Sequence, residues 1–194
     1  MIKRFAVAVA CLFALAACSE AQVDYEPEWK PTTNNPSVSF SASVQKQGDL
    51  LAISYTLRNQ GAEPVVAYIG VPGDAASHAW DVYITARKGG VVEIAKRTFA
   101  IPSGVKADSV GEIEGVVLEP GAEFKENFKV SLPLTGRRPY VSSVKLPDPV
   151  EQVVFCVGAV LQKDAASPKP ADRGRGKYPA NGPQHLFCSE IQKL

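Results

Sequence analysis

The stretch VSFSASVQKQGDLLAISYTL, residues 38–57, decides the fold. Val38, Phe40, Ala42 and Val44 alternate with Ser and Gln. After Gln47-Gly48-Asp49, Leu51, Ile53, Tyr55 and Leu57 alternate again. A period of two places every second side chain on one face, so each half reads as a half-buried strand, and the Gly-Asp break reads as the turn of a hairpin.

The same pattern continues outward. Asn59-Gln60-Gly61 predicts a turn and Val65–Val71 the next strand. A loop with Gly73 and His78 leads to a strand over Trp80–Ala86. Arg87-Lys88-Gly89-Gly90 suits a tight hairpin, because glycine accepts positive φ, and Val91–Phe99 returns. Ile113–Leu118 is a strand and Glu119-Pro120-Gly121 a turn. Phe124, Phe128, Val130 and Leu132 share one face of the following strand, with Glu126 the exception in the series. Val153–Leu161 is almost continuously apolar, as a central strand covered on both faces should be. Leu186–Ile191 closes the set. Eight or nine short antiparallel strands without a convincing helix predict an all-β chain. The expectation is an immunoglobulin-like β-sandwich over residues 37–194, with a small barrel as the alternative.

Residues 162–184, QKDAASPKPADRGRGKYPANGPQ, interrupt the last two strands with four prolines, three glycines and five basic residues against two acidic. That composition predicts a long exposed basic loop before the last strand. If any segment binds a partner it is this one, through Lys163, Lys169, Arg173, Arg175, Lys177 and Tyr178.

The chain of 194 residues is long enough to bury one core, and with 45% hydrophobic and 21% charged residues it is ordinary for a globular protein. Without Lys3 and Arg4 its 21 basic residues fall to 19, against 20 acidic. No basic surface of the kind nucleic-acid binding requires is implied.

Lys3 and Arg4 precede Phe5–Ala17, FAVAVACLFALAA. This run is shorter than the roughly 20 apolar residues a membrane-spanning helix needs, and suits a cleaved export signal over residues 1–17. It ends in Leu15-Ala16-Ala17-Cys18, which resembles the lipobox of bacterial lipoproteins. The resemblance implies a diacylglyceryl group on the Cys18 thiol, cleavage before Cys18 and an acylated amine. Ser19, where Asp would signal retention in the inner membrane, implies an outer-membrane anchor with the domain facing the periplasm. Residues 18–36 then form the lipidated N-terminus and a polar tether, reaching roughly 20–25 Å as coil.

Export leaves Cys156 and Cys188 as an even pair in an oxidising compartment, which predicts a disulfide. A redox pair or a metal site are the alternatives, but neither a C-x-x-C spacing nor a His-rich cluster accompanies them. Two histidines, His78 and His185, and no G-x-S-x-G elbow leave no nucleophilic system to name. Glu112 and Glu114 share a strand face and read as a solvated edge rather than an acid/base pair. No catalytic residue, metal site or cofactor is expected.

Over Leu50–Leu132, the string LAISYTLRNQGAEPV (51–65), WDVY (80–83), GVVEI (90–94) and LEPG (118–121) is similar to the immunoglobulin-like domains grouped with the BsuPI-type intracellular proteinase inhibitors. The shared features are turn residues and alternating apolar positions, which imply a fold and carry no inhibitory motif. The chain departs from that group in its export signal and its cysteine-bearing C-terminal strands. The expected function is a membrane-anchored, non-catalytic module that binds another envelope protein or polymer. A protease inhibitor is the alternative, and a hydrolytic enzyme ranks third.

Overall fold

The structure, a computed structural model, describes residues 34–71, 82–107, 109–141, 143–166, 169–170 and 175–194. The expected export signal (residues 1–17), Cys18, most of the expected tether, His78, Trp80 and Arg173 lie outside the described residues. The all-β expectation holds: twelve strands and two short 3-10 turns make up the regular structure among the described residues.

Strands β1 (Val38–Gln47), β2 (Leu50–Asn59) and β7 (Glu123–Ser131) form one antiparallel sheet, in the order β1-β2-β7. The hairpin expected at Gly48-Asp49 is there, with Gln47 facing Leu50. The other sheet contains β3 (Val65–Gly70), β4 (Tyr83–Ala86), β5 (Val91–Lys96), β6 (Glu112–Leu118), β8 (Gln152–Leu161), β9 (Lys169–Pro170), β10 (Arg175–Pro179), β11 (His185–Cys188) and β12 (Gln192–Lys193). Its order is β4-β5-β8-β3-β6-β10-β9, with β11 and β12 also paired to β8. Gly89 and Gly90 both take positive φ and join β4 to β5, as their sequence predicts.

The two sheets bury their facing sides against each other. Leu51, Ile53, Tyr55, Leu57 and Val130 of the smaller sheet meet Ala67, Ile84, Val92, Ile94, Leu118, Val153, Phe155 and Val157 of the larger. The larger sheet is also apolar on its outer face, where Val66, Tyr68, Tyr83, Phe99, Ile113, Val160, Tyr178 and Ala180 form a second cluster. Strand β8, covered on both faces, is buried from Val153 to Leu161, which is why its sequence lacks alternation.

The sheet forks beside β8. Cys156 and Val157 pair with both β5 and β11, and Ala159 pairs with both β3 and β11. A strand has two edges, so β5 and β3 must share one of them: β5 runs parallel along Gln152–Val157 and β3 antiparallel along Ala159–Leu161. Gly158 sits at the branch, where an added Cβ would fall 2.2 Å from Gln184 Oε1, 3.0 Å from Tyr68 Cδ2 and 3.2 Å from Arg97 Cβ. Past the last ladder pair of β5, the Thr98 N–H donates to Gln184 Oε1 (2.9 Å), and Gln184 Nε2 donates back to the Thr98 carbonyl (2.8 Å). The buried side-chain amide thus takes the place of the strand that β5 has lost.

Three boundaries differ from expectation. The strand expected over Trp80–Ala86 is seen from Tyr83. The last strand is split into β11 and β12. Residues 162–184 are not one exposed loop: they contain β9 and β10, and Gly176, Tyr178, Ala180 and Gln184 are buried. In β10 the exposed Arg175 and Lys177 alternate with Gly176 and Tyr178. A glycine in an inward position hides that period, since it adds no apolar side chain to the pattern. The inward ring of Tyr178 fills the space over Gly115, whose added Cβ would approach it to 2.8 Å.

Candidate functional site

Charged groups concentrate on β5 and the residues after it. In VVEIAKR, residues 91–97, Val92, Ile94 and Lys96 point toward the smaller sheet, while Glu93 and Arg97 point to the outer face. Glu93, Lys96 and Arg97 are each 0–1% exposed. Buried charges persist only where partners offset the cost of desolvation.

On the outer face Glu93 accepts from two guanidinium groups. Arg97 Nε donates to its Oε1, and Arg87 Nε donates to its Oε2. Arg97 also donates to the Thr98 carbonyl at 3.2 Å and lies over the Phe99 ring, 3.7 Å from its centroid. Burial lowers the pKa of Arg97, against the pull of the Glu93 carboxylate, which raises it. Arg87 turns its Nη2 to the sulfurs, 3.4 Å from Cys156 Sγ and 3.8 Å from Cys188 Sγ.

On the inner face Lys96 Nζ spends its three protons on the Ile69 carbonyl (2.8 Å) and on both oxygens of Glu126 (2.7 and 2.8 Å). Tyr55 donates to Glu126 Oε2 at 2.6 Å, and Lys96 lies 4.6 Å from the Phe128 ring centroid. Burial, then the Glu126 carboxylate, push the Tyr55 phenol pKa up. The one polar residue on the apolar face of β7 is therefore the counter-ion that joins β7 of the smaller sheet to β5 of the larger. Glu126 stands out in the sequence as the exception on its strand face, whereas Glu93, Lys96 and Arg97 carry no comparable mark. Three charges inside a seven-residue strand segment between apolar neighbours were the available signal.

Cys156 and Cys188 face each other across β8 and β11 and are joined in a disulfide, with Cα atoms 4.1 Å apart and a sequence separation of 32. The residues expected to form a binding loop are dispersed. Lys163 pairs with Glu63 (2.6 Å), Arg175 with Glu114 (3.0 Å) and Lys177 with Glu112 (3.7 Å). Glu112 and Glu114 are thus counter-ions to β10 on the shared edge of the sheet. Lys169 lies in β9, paired with Lys177 of β10. Tyr178 is 2% exposed and packs edge-on to Tyr68, so it is a core residue and not a contact for a partner. His185 stacks edge-on against Phe187. Among the described residues no group of three or more His, Cys, Asp or Glu is placed to hold a metal ion.

The outer face of the smaller sheet carries polar side chains from all three of its strands. Ser43, Gln45, Gln47, Ser54, Asn127 and Lys129 surround Ala52 in a shallow hollow of about 280 Å³. Small Ala52 leaves the floor low while hydroxyl, amide and ammonium groups rise around it. Such a surface can hydrogen-bond a ligand through its hydroxyl, amide and ammonium groups. Comparison of the chain with known protein families, with curated proteins and with solved structures finds no match in any of the three.

Proposed function

We propose that the chain is an exported lipoprotein, anchored through Cys18, whose β-sandwich is a non-catalytic binding module for another envelope protein or polymer. The observation that carries this reading is the Cys156–Cys188 disulfide, which suits an oxidising compartment and agrees with an export signal cleaved just before Cys18. Several acyl chains, each methylene contributing about 0.8 kcal/mol, would hold the protein at the membrane surface. Ser19 favours the outer membrane, with the domain facing the periplasm. Among the described residues no helix is long and apolar enough to cross a membrane.

The charge-matched edge at β10 offers few uncommitted cations, because Lys163, Arg175 and Lys177 each have a carboxylate beside them. The hydroxyl- and amide-bearing face of β1, β2 and β7 is the better docking surface for a partner rich in hydrogen-bonding groups.

Fractionation tests the anchor: the wild-type protein sediments with membranes, and Cys18→Ala is released or left unprocessed. An unchanged distribution would sink the lipid assignment. In-cell crosslinking tests the surface. Deleting residues 163–183 would remove β10 from its sheet, so charge-removing substitutions at Lys163, Arg175 and Lys177 are the cleaner probe. Capture should survive them and be lost when Ser54 and Asn127 are replaced by bulky Arg and Trp; the opposite pattern would return the site to the basic edge.

A further inference from the structure

We propose that the Cys156–Cys188 bond is a thiol-exchange site for an external dithiol, with Cys188 Sγ the sulfur attacked and Arg87 stabilising Cys156 as the leaving thiolate. The two sulfurs are not equivalent. Cys156 is fully buried on the central strand, whereas Cys188, on β11 beside the C-terminal strands, is partly exposed. Thiolate attack on a disulfide runs along the S–S axis, so the incoming sulfur reaches Cys188 and the electron pair departs on Cys156.

The guanidinium is placed for that departure. Arg87 Nη2 is 3.4 Å from Cys156 Sγ and 3.8 Å from Cys188 Sγ, nearest the sulfur that must take the negative charge. The disulfide is neutral and gains little from a cation, whereas a thiolate in a buried site gains much. Glu93 does not cancel the effect, because it is shared between Arg87 and Arg97, leaving the three groups with a net positive charge. A leaving thiol of lowered pKa departs faster and favours the reduced form.

The reaction balances as follows. One thiolate of the dithiol bonds to Cys188 Sγ as the Cys156–Cys188 bond breaks and its electron pair stays on Cys156. The second thiol, deprotonated, attacks the sulfur of the first and expels Cys188 as a thiolate. The dithiol becomes a cyclic disulfide, the protein gains two electrons, and two protons complete the two cysteine thiols. Strands β11 and β12 are then held to β8 by their ladder bonds and packing alone.

The test uses the full-length protein in detergent, with dithiothreitol as the dithiol and alkylation followed by mass measurement as the readout. Wild type should be reduced while folded, with its far-ultraviolet circular dichroism unchanged. Arg87→Gln should be reduced about tenfold more slowly, and Arg87→Lys, which keeps the charge, should recover most of the rate. The sign separates this role from a structural one. If Arg87 merely braced the fold, its loss would loosen β11 and speed reduction. Reduction of Arg87→Gln as fast as wild type or faster overturns the proposal. So does a lysine variant as slow as the glutamine variant, or a wild-type bond that yields only in denaturant.

Discussion

The two sheets of the sandwich solve different problems. The smaller, β1-β2-β7, has one dry face and one wet one, and along β2 the burial alternates residue by residue. The larger is dry on both faces over β3, β5 and β8. A sheet with a wet face can send its polar residues to water. A sheet without one must find every buried polar group a partner within the protein. That is why Glu93, Arg97, Thr98 and Gln184 all have side-chain or backbone partners on the outer side of the larger sheet.

If this contrast is right, equal truncations should have unequal costs in the two sheets. Glu93→Ala carries the largest. It takes from Arg97, which is 1% exposed, its buried carboxylate counter-ion and should lower unfolding free energy by about 3–5 kcal/mol in a urea titration. A loss below 1 kcal/mol, on the order of an exposed pair, would mean that the outer cluster is hydrated and the contrast false.

Replacing both Cys156 and Cys188 with Ala should cost about 3–4 kcal/mol in the chain-entropy view of a bridge spanning 32 residues. Equal denaturation midpoints under oxidising conditions would show that the bridge adds nothing to the clamp at β8. Gly158→Ala probes the fork. Its methyl must displace the Gln184 amide, and overpacking of this kind costs about 1–3 kcal/mol. Shortening Gln184 to Ala in the same chain should relieve the clash, so the double variant should lose less than the two single losses combined.

Asn59, at the end of β2, ties the sheets together by donating to the Glu63 carbonyl (2.8 Å) and the Leu118 carbonyl (2.9 Å) while accepting from the Gly61 N–H. Asn59→Ala should cost about 1–3 kcal/mol, because buried backbone groups lose their partner. At the small end, Lys125→Ala on the wet face of β7 removes an exposed pair with Glu123 and should move stability by no more than about 0.5 kcal/mol. A larger effect there would erase the difference between the faces.

Legibility followed the same division. The hairpins at Gly48-Asp49 and Gly89-Gly90, the turn at Asn59 and the doubly covered β8 could all be read directly, because alternation and turn chemistry are properties of adjacent residues. Residues 162–184 misled for the converse reason: Pro, Gly and charge look like loop, and β10 becomes a strand only because β6 offers it an edge and Gly115 makes room for Tyr178. The charged residues of β5 went unread because nothing within the strand reveals whether Glu93 faces water or two arginines.

From the chain alone came the all-β class, the strand faces, the likeness of Leu15-Ala16-Ala17-Cys18 to a lipid-attachment signal and the pairing of the only two cysteines left after it. The tertiary structure decided that β5 lies parallel to β8, that Lys96 reaches Glu126 across the core, and that Arg87 meets both sulfurs. Periodicity is local and survives in a one-dimensional string. Which distant strand supplies a neighbour, and in what register, depends on how the sheets close on one another, and a buried charge takes its meaning only from that neighbour.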